Sequence, residues 1–83
     1  MSDEQTGIRE LLELIARALV DSPGDVEVAE IEDREATLYE LKVSEDDLGK
    51  VIGKQGRTAR AIRTILASAG MKLRKRIVFD IIE

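Results

Sequence analysis

The run Leu48-Gly49-Lys50-Val51-Ile52-Gly53-Lys54-Gln55-Gly56-Arg57 decides the fold. Leu48, Val51 and Ile52 fall on one face of a short helical turn, and Gly53 stops it. Two glycines bracket a Lys54-Gln55 tip, and a basic amphipathic helix begins at Gly56 or Arg57. Gly53 and Gly56 lack Cβ atoms, so another molecule's backbone can lie against them. The N–H groups at the second helix's start carry the positive end of its dipole. Lys50, Lys54, Arg57 and Arg60 add cations around that point. Such a set of groups suits a phosphate-bearing ligand.

Downstream, Ala59, Ile62, Leu66 and Ala69 make a buried helical stripe with Ile65 beside it. Arg57, Arg60, Arg63 and Thr64 lie towards the other side, and Gly70 is placed to end the helix. After the basic turn Lys72, Arg74, Lys75, a last strand alternates Ile77, Phe79 and Ile81 with Val78, Asp80 and Ile82. Upstream, Ser44 reads as a helix cap, and Glu45, Asp46 and Asp47 suit a first turn. Residues 36–43 form a strand with Tyr39, Leu41 and Val43 inward in preference to Leu38. Glu32-Asp33-Arg34-Glu35 is a polar connection to an earlier short strand around Val26 and Val28. The stripe Ile8, Leu11, Leu12, Ile15, Leu19 predicts a first helix from near Thr6 to Val20. Asp21-Ser22-Pro23-Gly24 ends it. The order is helix, strand, strand, helix, helix, strand. An α+β layer of three strands with helices on one face is the economical solution.

The chain has 83 residues, the length of one domain, with residues 1–5 expected as a flexible tail. Cysteine and histidine are both absent. That removes thiolate chemistry and the commonest general base, and suits a reducing cytoplasm. The polar, acidic start lacks the basic and apolar regions of a signal peptide, and no run is long enough to span a membrane. Net charge is −4. Its distribution is lopsided: residues 1–49 carry a net −11, and residues 50–83 a net +7. No acid falls between Lys50 and Arg76. Screening acts over roughly 8 Å at physiological salt, so one face can be basic on an acidic protein.

A Gly-x-x-Gly alone is a roughly 40% chance event in a chain this long. The flanking pattern makes it specific. Val51-Ile52-Gly53-Lys54-Gln55-Gly56, continuing through Arg57-Thr58-Ala59-Arg60-Ala61-Ile62, resembles the GxxG signature of a KH domain. The element order resembles the type II arrangement, α-β-β-α-α-β. Across nearly its whole length the chain is similar to the small bacterial single-KH proteins of the KhpA (YlqC) family. One departure is Ala59, where many KH domains carry a bulky aliphatic.

The resemblance implies recognition of single-stranded RNA, sometimes DNA, about four nucleotides at a time. The protein would then be an RNA chaperone or post-transcriptional regulator. Lys50, Gly53, Lys54, Gln55, Gly56 and Arg57 would meet the backbone, and Arg60 and Arg63 either touch phosphate or are simply solvated. Val51, Ile52 and Ile62 would wall a groove for bases, with ordinary core an equal alternative for Ile52 and the favoured one for Ile62. Lys72, Arg74, Lys75 and Arg76 either extend the track or form a solvated turn. Tyr39 and Phe79 read as core, so stacking platforms are not expected. One copy should bind weakly, and tight binding would need a second domain or partner. The family resemblance implies a KhpB-like (Jag/EloR) multidomain KH partner or a homodimer. An adaptor working through that partner is the alternative reading, with no membrane role.

An enzyme is the weaker rival. Gly49-Lys50-Val51-Ile52-Gly53-Lys54-Gln55 is one residue short of a P-loop between glycines, and Gln55 stands where Ser or Thr must ligate magnesium. No cofactor and no metal site is expected.

Overall fold

The computed structural model describes residues 4–83. Helix α1 spans Glu4–Leu19, starting two residues earlier than the stripe predicts. The expected tail therefore yields Glu4 and Gln5 to the helix, and residues 1–3 lie outside the described residues. Pro23–Asp25 closes the connection with a 3-10 turn. Strands β1 (Glu27–Glu32) and β2 (Thr37–Lys42) follow, then α2 (Leu48–Ile52), α3 (Arg57–Lys72) and β3 (Ile77–Ile81). Sheet order is β1-β2-β3, with β1 antiparallel and β3 parallel to the central β2. The fold is the expected α+β arrangement of KH type.

The β1–β2 connection forms because Asp33 caps its own turn. Its Oδ1 accepts from the N–H groups of Glu35 (2.8 Å) and Ala36 (2.9 Å). The Ala36 bond, then that of Glu35, holds the Asp33 carboxyl below its ordinary range. In β2, residues at spacing two face the helices: Thr37, Tyr39 and Leu41 are all buried. Tyr39 points inward as expected, and its hydroxyl donates to Glu30 Oε2 at 3.1 Å. Burial first, then Glu30, raises the phenol's pKa. Strand β1 runs further than Val26 and Val28 suggest, because ladder pairing carries it through Glu32 opposite Thr37.

Helix α1 packs over β1 and α3 over β3. Ile8, Leu12, Ala16 and Val20 meet Tyr39, Leu41, Ile62, Leu66 and Phe79 in one core. Losing a side chain such as Leu12 or Leu66 costs about 2–5 kcal/mol. Ile65, expected beside the stripe and not in it, is 46% exposed. One sequence expectation changes here. Gly70 lies inside α3 rather than after it. A Cβ there would stand 2.5 Å from Ile77 Cγ1 and 2.7 Å from the Lys75 carbonyl, so glycine is what lets α3 and β3 close. The helix ends instead with Arg74 in left-handed backbone, φ 58°. Arg74 N–H donates to Met71 O (3.1 Å) and Lys75 N–H to Gly70 O (2.8 Å), a Schellman cap built on arginine.

Candidate nucleic-acid interface

The Gly53–Gly56 turn joins α2 to α3 at the surface. Gly53 N–H donates to Gly49 O at 2.9 Å and closes α2. Gly53 then turns at φ 78° and ψ 170°, which side-chain-bearing residues rarely adopt. A Cβ there would overlap the Thr58 hydroxyl and stand 2.8 Å from the Thr58 nitrogen. Gln55 (φ 57°) and Gly56 (φ 74°) are both left-handed. Gly56 N–H donates back to Gly53 O at 3.1 Å. Nothing lies within 4 Å of a Cβ built on Gly56, so its glycine is a matter of conformation and open space. Lys54, Gln55, Arg57 and Arg60 are exposed, and Gly53 and Gly56 partly so. Among the described residues, no side chain caps the start of α3.

The residues singled out in the sequence separate into three groups. Lys54, Gln55 and Arg57 stand at the exposed tip, beside the two glycines and Arg60. Arg60 Nη2 donates to the Gln55 carbonyl at 2.7 Å, and Arg57 Nη2 approaches Gln55 Oε1 at 3.4 Å. Val51 is fully buried and Ile62 is 2% exposed, so both belong to the core and neither walls a groove. The reason is helical phase: Val51 is three residues after Leu48 and shares its inward face. Ile52 is half-buried against the same core.

Lys50 forms the third group. Its ammonium lies 3.3 Å from Asp21 Oδ2 and 3.4 Å from Asp47 Oδ1, so it is held by two carboxylates. Asp21, then Asp47, raises its pKa. The sequence pattern places Ser44 at a helix start as a cap and Asp47 in its first turn, yet neither makes a side-chain cap bond. Asp47 is 2% exposed and instead accepts from the backbone N–H groups of Asp21 (3.3 Å) and Ser22 (3.0 Å). Burial pushes its carboxyl up, but those two N–H groups and Lys50 outweigh it and hold the pKa low. This anchor pins α2, and hence the loop, to the end of α1. Sequence spacing could not reveal it, because the partners are 25 and 26 residues apart.

Further along α3, Arg63 sits with Cζ 5.9 Å above the Phe79 ring, which attracts a cation. Phe79 and Tyr39 are both buried, in line with the sequence pattern. Lys72, Arg74 and Arg76 are exposed at the far end of α3, while Lys75 lies 3.9 Å from Glu32. Among the described residues, no group of three acidic, histidine or cysteine side chains could hold a metal ion. No described helix is long and apolar enough to cross a membrane.

Comparison with known proteins gives this geometry a context. A family model described as the KhpA/KhpB KH domain matches residues 9–81. A Clostridium perfringens protein is 53% identical over 75 residues, covering 90% of this chain and 100% of the relative. A Clostridium acetobutylicum relative is 51% identical over the same shares. One from Aquifex aeolicus is 49% identical over 78 residues, 94% of this chain and 99% of its own. Each of the three carries the name RNA-binding protein KhpA. No solved structure matches the chain significantly.

Proposed function

This chain belongs to the family of KhpA and KhpB KH domains, and on that premise we propose that it binds single-stranded RNA through its Gly53–Gly56 turn. The observation that carries the reading is the turn itself. Two positive-φ glycines flank an exposed Lys54-Gln55 tip at the uncapped start of a basic helix. Phosphate oxygens there meet backbone and side-chain donors together, and the helix dipole adds to the attraction. The name shared by its relatives supports RNA as the polyanion. Single-stranded DNA offers the same phosphates and binds more weakly where the 2′-hydroxyl is read.

The working set is Gly53, Lys54, Gln55, Gly56 and Arg57, with Ile52 and Arg60 beside it. Lys50 serves the set from behind, by fixing α2. The buried aromatics leave no stacking platform, so a single copy binds weakly, and action as a regulator or RNA chaperone needs more than one domain. Self-association, or pairing with a KhpB-like protein, supplies the second. The joint family description favours that adaptor role as a complement. No reaction is assigned.

The test replaces Lys54→Asp together with Gln55→Asp, which sets carboxylates against phosphate on an exposed tip. The variant should melt like the parent and lose detectable binding to an oligouridylate in low salt. Parent binding should weaken with salt, with a log–log slope near −0.7 for each phosphate neutralised. Undiminished binding by the double variant would refute the loop assignment.

A further inference from the structure

Gln55 has a property that neither the glycines nor the cations explain. It holds left-handed backbone, φ 57° and ψ 27°, with a full side chain. That conformation costs a residue with a Cβ energy, so something must hold it. Both of its oxygen acceptors are turned onto guanidinium groups: the carbonyl onto Arg60 at 2.7 Å, and Oε1 onto Arg57 at 3.4 Å. An uncovered carbonyl at the loop's tip would repel a phosphate, which presents acceptor oxygens. Once covered, the tip offers donors: the Gln55 amide, the Lys54 ammonium and the remaining Arg57 N–H groups.

We propose that Arg60 is a positioning residue for RNA binding, stapling the Gln55 carbonyl to α3 so that the free loop already holds its donors outward. The staple spans five residues and ties a strained turn to the first turns of a regular helix. It lowers the ordering cost of binding, and this is how preorganised sites gain affinity. The proposal rests on the RNA-binding reading above, and half of its test is independent of RNA.

Arg60→Met removes the donor and keeps an unbranched stem at an exposed position, so the fold survives. In the free protein, the Gly56 amide, bonded to Gly53 O inside the loop, should exchange about threefold faster or more than in the parent, with Leu66 unchanged. Oligouridylate affinity should fall by about three- to tenfold at every salt concentration, with the salt slope unaltered. A phosphate ligand behaves differently: its loss flattens the slope by about 0.7. A flattened slope with unchanged Gly56 exchange overturns the proposal. So does unchanged exchange by itself, whatever RNA does. If the parent fails to bind RNA while exchange quickens in Arg60→Met, the staple stands and the functional reading falls.

Discussion

The two ends of α3 both turn the chain through left-handed backbone, and they do so with opposite residues. The N-terminal end uses Gly53 and Gly56 around Gln55. The C-terminal end uses Arg74, at the cap position where glycine is the usual choice, and keeps its glycine, Gly70, inside the helix. At the far end the bare Cα is filled by this protein's own atoms, Ile77 and the Lys75 carbonyl. Gly56 has nothing near it. A glycine whose empty side is occupied by its own fold serves packing. One whose empty side faces solvent leaves room for something from outside.

The largest effect should come from Gly70→Ala. The added methyl overpacks a site bounded by backbone, so about 2–3 kcal/mol of stability is lost. That corresponds to a melting point lower by about 10 °C or more, while RNA affinity of the folded fraction stays unchanged. Unaltered melting would erase the packing side of the comparison. Next come the loop glycines. Gly56→Ala should cost about 1 kcal/mol for its φ alone, and Gly53→Ala more, because Thr58 is also in the way. Asparagine tolerates left-handed backbone, so Gly56→Asn should recover most of the stability but not the RNA affinity. Recovery of both would reduce Gly56 to a conformational device with no role in close approach.

Asp47→Asn should have a smaller effect, legible in its pH dependence. The folded-state pKa of Asp47 is depressed, so its contribution is present above the unfolded value of about 4 and is lost as pH falls through the folded one. Below about pH 4 the parent's melting temperature should therefore drop more steeply than that of the Asp47→Asn variant, measured by circular dichroism. Parallel acid limbs would show that the anchor is not charge-dependent. The smallest change is Arg74→Gly. Relief of left-handed strain against the added chain entropy of glycine should net about 0.5 kcal/mol of stabilisation or less.

Element order and the placing of the loop were legible because they rest on local pattern. The period of Ile8, Leu12 and Ile15, the break at Pro23, the alternation through Tyr39 and Leu41, and the paired glycines each act within a few residues. What escaped was set across the fold. Lys50 reads as a free cation until Asp21 is seen beside it. Val51 reads as a groove wall until the core closes over it. Asp47 reads as one of three acids in a helix's first turn, and only the folded chain brings Ser22 to it. Gly70 reads as a stop signal, although its neighbour across the gap is a strand that has yet to pair.

The most direct measurement is an amide-resolved titration of the isotope-labelled protein with a short single-stranded RNA. The largest shifts should fall on residues 52–60, with Val51, Ile62 and the Schellman cap at Arg74 nearly still. Shifts concentrated at the Arg74 end or on the outer sheet face, with Gly53 to Gly56 silent, would contradict the account.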